Sequence, residues 1–72
     1  MIVVTGAAGF IGSNLITGLN LARYKDLVLV DDFSRPDRER NYLGKQFVAL
    51  VDRREFPVWI QNNHRYIQII LH

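Results

Sequence analysis

Apolar residues in this chain occur in two arrangements, short unbroken runs and one spaced series. Ile2-Val3-Val4-Thr5 and Leu27-Val28-Leu29-Val30 are runs without a polar interruption. Such runs suit parallel strands that are covered on both faces. Between them, from about Phe10 to Ala22, the residues Ile11, Leu15, Leu19 and Ala22 recur at spacings of four, four and three. That spacing predicts a helix with these side chains on one face, weakened locally by Gly18. The first run ends in glycine and the second in two carboxylates, Asp31 and Asp32. Strand, glycine turn, helix and strand form a βαβ crossover, a connection with a strongly preferred right hand.

The second half alternates less cleanly. Ser34 to Lys45 is polar, with Pro36 and Gly44 as breakers, and reads as a loop or a frayed helix. Phe47 to Val51 is a candidate third strand. Asp52-Arg53-Arg54-Glu55 has the form of an aspartate-led capping box opening a second helix through Phe56, Trp59 and Ile60. Pro57 lies at the limit of the positions that tolerate proline in such a helix. Asn62-Asn63-His64 would close it, and Tyr66 to Leu71 is a further strand. No helix follows that strand before His72, so it is expected to expose an edge and an apolar face. Residues 1–72 are therefore read as part of an open parallel α/β sheet, cut before the elements that would complete it.

Composition narrows the class. The chain has 72 residues, 49% of them hydrophobic. A chain this short buries only about 60% of the surface its unfolded form exposes. It has no cysteine, so neither a disulfide framework nor a thiolate metal site supports the core. The two histidines, His64 and His72, lack metal-ligand spacing. A net charge of +2 is too small to argue for nucleic-acid binding, although basic residues cluster between Arg35 and Arg54. With no leader pattern and no apolar stretch of about 20 residues, a cytoplasmic protein without a membrane partner is expected.

The chemistry is concentrated in Thr5-Gly6-Ala7-Ala8-Gly9-Phe10-Ile11-Gly12, which sets glycines three apart between a strand and a helix. Gly6 suits the tight turn, Gly9 lets backbone approach a pyrophosphate, and Gly12 allows the helix to pack closely on the strand. The helix N-terminus offers free N–H groups and partial positive charge to phosphates. Asp31 follows Gly12 by nineteen positions, at a strand end where a carboxylate accepts hydrogen bonds from ribose hydroxyls. A P-loop is excluded, because Gly12 is followed by Ser13 and Asn14 rather than by lysine and a hydroxyl residue. The fold class that follows is α/β, a partial Rossmann-type doubly wound parallel sheet consisting of an N-terminal βαβ unit plus a further helix and strand.

Thr5 to Gly12 resembles the TGxxGxxG signature of extended short-chain dehydrogenase/reductase proteins, the nucleotide-sugar epimerases and dehydratases. Met1 to Asn14, Leu27 to Asp32 and Asp52 to Phe56 are similar to the epimerase branch. The resemblance implies an isomerase acting on a nucleotide-sugar by transient oxidation and hydride return, with NADP as cofactor and NAD as the alternative. It also implies pyrophosphate contacts from the Phe10 and Ile11 backbone and adenosine contacts from Asp31 and Asp32. Arg38 and Arg53 fall where this branch carries basic residues facing NADP. Other readings stay open: Phe10 and Ile11 as core, Arg38 and Arg53 as solvated charges, and Asp52 as a helix cap. The family catalyses with a Tyr-x-x-x-Lys pair, whereas Tyr24, Tyr42 and Tyr66 are followed four positions on by Val28, Gln46 and Ile70. The resemblance makes residues 1–72 the N-terminal part of a NAD(P)-binding Rossmann domain, truncated before the catalytic and substrate-binding regions, so no catalytic residue is expected in the chain, and an oligomer is compatible with it. A non-catalytic dinucleotide-binding protein and another sugar-nucleotide epimerase or dehydratase are the competing readings.

Overall fold

The computed structural model describes all residues from Met1 to His72. Four strands form one parallel sheet: β1 (Ile2–Thr5), β2 (Leu27–Asp31), β3 (Ala49–Asp52) and β4 (Ile69–Leu71), in the order β3-β2-β1-β4. Helix α1 (Phe10–Leu21) joins β1 to β2, and α2 (Phe56–Asn63) lies between β3 and β4. A 3-10 helix spans Pro36–Asn41, and a shorter one spans His64–Tyr66. This is the α/β parallel architecture expected, a partial Rossmann-type fold.

The pleat sends alternate residues of each strand to opposite faces, and the register keeps like with like. Ile2 pairs with Leu27 and Val4 with Leu29 on one face, where Ile16 of α1 and the aromatic ring of Tyr42 complete a buried cluster. Val3 pairs with Val28 on the other face, where Val30, Val51 and the partly buried Phe56 and Trp59 of α2 pack. Every residue of β2 is buried, because β1 and β3 flank it and helices cover both of its faces. Phe33, Tyr42 and Phe47 extend the first cluster through two edge-to-face contacts at ring separations of 5.2 and 6.5 Å.

Three expectations shift in detail. The core stripe of α1 is Gly12, Ser13 and Ile16, with Leu15 and Leu19 partly buried, while Ile11 and Ala22 stand in solvent. Gly12 sets that rotation, since a Cβ built there would strike the Gly6 carbonyl oxygen and come within 2.9 Å of Ala7 Cα. The helix axis is placed by this close approach rather than by the aliphatic series. Second, Asp52 does not cap α2: its carboxylate accepts from the Arg54 backbone N–H at 2.8 Å, and its carbonyl accepts from the Glu55 N–H at 2.9 Å, forming a turn. The helix begins only at Phe56, without a side-chain cap. Pro57 explains the delay, because a helix opened by Asp52 would need the Pro57 N–H to bond the Arg53 carbonyl. Third, the strand anticipated from Tyr66 is confined to Ile69–Leu71, and the residues before it form the short 3-10 turn. The polar stretch read as a loop or a frayed helix contains a 3-10 helix, Pro36–Asn41, followed by the buried Tyr42.

Candidate functional site: the glycine turn

The chain leaves β1 at Thr5 and turns through Gly6, whose φ of 63° lies in the left-handed region that side chains disfavour. The turn closes on itself, with the Gly9 N–H donating to the Gly6 carbonyl at 3.1 Å. Gly9 is the N-cap of α1, and it supplies no side-chain cap. The first turn of α1 carries no carboxylate either. Its leading N–H groups therefore have neither an intrahelical partner nor a capping side chain, and the positive end of the helix dipole is left uncompensated.

This helix end opens on a cleft of about 490 Å³ lined by Thr5, Gly6, Gly9, Phe10, Ile11, Gly12, Arg38 and His72. Phe10 and Ile11 are 81% and 77% exposed, so neither belongs to the core of this chain. Gly9 faces inward beside a guanidinium: a Cβ there would lie 3.2 Å from Arg38 Nη2 and 3.3 Å from the Gly6 carbonyl oxygen. Backbone thus reaches the cleft wall at a position where a side chain would fill the space. A dinucleotide pyrophosphate fits these features, which present N–H donors, no carboxylate in the helix's first turn, and one cation at the rim.

Two carboxylates at the end of β2 have distinct settings. Asp31 is buried, and its oxygens accept from the Ala8 N–H at 2.9 Å and from the Asp32 N–H at 2.7 Å. Arg38 Nη2 approaches the same carboxylate at 3.6 Å. Asp32 is more open, and it accepts from the Ser34 hydroxyl at 2.6 Å and the Ser34 N–H at 3.0 Å. The Ser34 hydroxyl, followed by the Ser34 N–H and the charges of Arg53 and Arg54, holds the Asp32 carboxyl below the usual carboxylate range. Arg53 extends from the end of β3 to within 3.9 Å of Asp32. Arg38 and Arg53, far apart in sequence, thus converge on adjacent carboxylates from two sides. Next to them, the Arg54 side chain lowers the Asp52 carboxyl and is itself raised by that pairing.

Asn41 and Ser34 lie outside the glycine and carboxylate pattern, and His72 stands in the sequence only as a histidine without metal-ligand spacing. His72 Nδ1 lies 2.7 Å from the Thr5 hydroxyl, which also donates to the Leu71 carbonyl at 3.2 Å. This ties the ends of β1 and β4 together beside the glycine turn. Asn41 reaches the Ala8 carbonyl at 2.7 Å across 33 positions of sequence. Only Ser34 had a local signal, since a serine two residues after an aspartate commonly closes such a side-chain turn. No helix is long and apolar enough to cross a membrane.

Comparison with known proteins agrees with this geometry. The chain is 34% identical over 77 residues to the ADP-L-glycero-D-manno-heptose-6-epimerase of Brachyspira hyodysenteriae (strain ATCC 49526 / WA1), an alignment covering 100% of this chain and 24% of that relative. The chain thus spans about a quarter of the length of the curated relative it matches. The family model for the NAD dependent epimerase/dehydratase family matches residues 2–68, a span that includes the glycine turn, both carboxylates at the end of β2 and both converging arginines. With the parallel sheet and the open α1 N-terminus in agreement, the chain belongs to the NAD dependent epimerase/dehydratase family.

Proposed function

We propose that residues 1–72 form the cofactor-binding opening of a nucleotide-sugar epimerase, of the kind that inverts a carbon of ADP-L-glycero-D-manno-heptose. The observation that carries this reading is the uncapped α1 N-terminus, which faces the cleft across Gly9 with Arg38 at its rim. In this reading the N–H groups at Phe10 and Ile11 hold the pyrophosphate, and Asp31 and Asp32 take the adenosine end. Asp31 has two oxygens and about four lone-pair sites, so its two backbone donors leave capacity for a ribose hydroxyl. The nicotinamide ring, when bound, supplies a reversible hydride acceptor. The substrate half of the cleft and the Tyr-x-x-x-Lys pair lie outside residues 1–72, and the chain alone binds without turning over.

NADP is the preferred form in this proposal. A carboxylate alone favours NAD, because it repels a 2′-phosphate at the same place. Here each carboxylate already has a guanidinium beside it, Arg38 for Asp31 and Arg53 for Asp32. A charge-assisted hydrogen bond contributes roughly 1.5–3 kcal/mol, about one to two powers of ten in affinity, which is enough to reverse the preference. Titration of the chain with NADP and NAD, repeated on Arg38→Glu, tests the assignment. Loss of NADP affinity with NAD retained is the expected outcome, and parallel changes in both would return the preference to NAD.

A further inference from the structure

The peptide that leads into α1 is held by side chains from two other parts of the chain. Ala8 is fully buried, so its backbone groups must find partners inside the protein. Its N–H donates to Asp31 Oδ2 at 2.9 Å, and its carbonyl accepts from Asn41 Nδ2 at 2.7 Å. The N–H of the next residue, Gly9, is held by the Gly6 carbonyl at 3.1 Å. The Ala8–Gly9 peptide is therefore pinned at its oxygen by Asn41 and at its nitrogen by the turn. Asn41 ends the 3-10 helix, and four residues later Lys45 Nζ donates to the Ser13 carbonyl at 2.6 Å, attaching the same segment to the first turn of α1.

From this we infer that Asn41 is a positioning residue for the dinucleotide: it fixes the Ala8–Gly9 peptide so that the α1 N–H groups are aimed before the ligand arrives. The inference rests on the cofactor-binding reading above and adds to it a residue that does not line the cleft. Without the Asn41 amide, the Ala8 carbonyl loses its partner and the peptide keeps only its hold at the Gly9 nitrogen, which fixes its plane less tightly. Binding must then order the turn as well as fill it, and that ordering lowers affinity. Because Asn41 acts through backbone shared by every dinucleotide, its removal weakens NADP and NAD alike. A contact to the 2′-phosphate would separate the two.

The test is titration of the 72-residue chain and its Asn41→Ala variant with NADP and with NAD, together with amide hydrogen exchange on the ligand-free forms. Asn62→Ala is the control, since Asn62 makes the same kind of bond to the Val58 carbonyl on α2, away from the turn. Asn41→Ala is expected to weaken both cofactors in parallel by about five-fold, the effect of one neutral hydrogen bond. Exchange should quicken at Ala8 and Gly9, the hydrogen-bonded amides of the turn, while Val28 to Val30 stay protected. Asn41→Gln, which keeps an amide donor on a longer arm, should recover part of the loss. Should Asn41→Ala not fold, Asn41→Asp, of nearly the same shape but without the N–H donor, is expected to show the same parallel weakening. Unchanged affinities, a loss confined to NADP, or exchange that quickens throughout the sheet would overturn the inference and leave the binding reading standing. A wild-type chain that binds neither cofactor would overturn both.

Discussion

The stretch Met1–Asp31 and the stretch Asp32–His72 share one sheet but divide its interior unequally. All but two of the 15 buried residues lie in the first stretch, and the exceptions are Tyr42 and Val51. β1 and β2 occupy the centre of the sheet with neighbours on both sides, whereas β3 and β4 are its edges. In the second stretch apolar side chains remain in solvent: Val58 is 65% exposed, Tyr66 58% and Ile69 49%. The βαβ unit holds most of the buried core and carries the glycine turn, where Phe10 and Ile11 stand in solvent beside the cleft. The later elements contribute polar grips on that turn more than they contribute core. In this molecule, what stabilises the site and what adjusts it come from different halves of the chain.

The largest effect that would sharpen this contrast is expected at the centre of the sheet. Leu29→Ala removes a fully buried side chain from β2 and should cost about 2–5 kcal/mol. A chain this small holds about 3–5 kcal/mol in all, so the cooperative urea transition should largely disappear. Ile69→Ala on the edge strand should cost less than about 1 kcal/mol, because half of that side chain is already in water. Equal losses at the two positions would mean that the edge contributes as much as the centre.

Two glycines of α1 give the next comparison, with opposite signs. Gly12→Ala forces a Cβ into the backbone of Gly6 and Ala7, and should destabilise by about 1–3 kcal/mol while moving the cleft wall. Gly18 is exposed, and a Cβ there meets nothing within 4 Å. Gly18→Ala should therefore stabilise by about 0.5–1 kcal/mol through helix propensity alone. Thermal melts of both variants decide the matter, and a stabilised Gly12→Ala would show that helix–strand approach does not constrain the turn.

The smallest effect concerns charge at the strand ends. Asp32 has a depressed carboxyl pKa in the folded chain, chiefly through the Ser34 hydroxyl. Its stabilising contribution is present above the ordinary carboxylate value and is lost as pH falls through the lowered folded value. Ser34→Ala should move the Asp32 pKa back up toward the ordinary value, as read by carboxyl-carbon NMR titration. Asp52, held down first by the Arg54 side chain, should keep its own shift and serve as the internal reference. Movement of both together would point to the arginines as the shared cause.

Much of the central unit was legible from short-range pattern. Unbroken aliphatic runs mark β1 and β2, glycines three apart mark the turn, and an acidic strand end marks Asp31, because each depends on backbone sterics and burial within a few residues. The late start of α2 was also present in the sequence, in Pro57, but the Asp52-to-Glu55 pattern competes with it and proved to be a turn around Arg54. The rotation of α1 depends on how near Gly12 comes to Gly6, a distance that the aliphatic spacing does not encode. Only the folded chain shows Asn41 on the Ala8 carbonyl and Arg38 over Gly9, or the convergence of Arg38 and Arg53 on neighbouring carboxylates. These contacts join segments that have no shared periodicity, and they exist because parallel strands deliver their carboxyl ends to one edge of the sheet. Local sequence determined that a tight glycine turn would form between β1 and α1; the tertiary arrangement decided which distant side chains hold it in place.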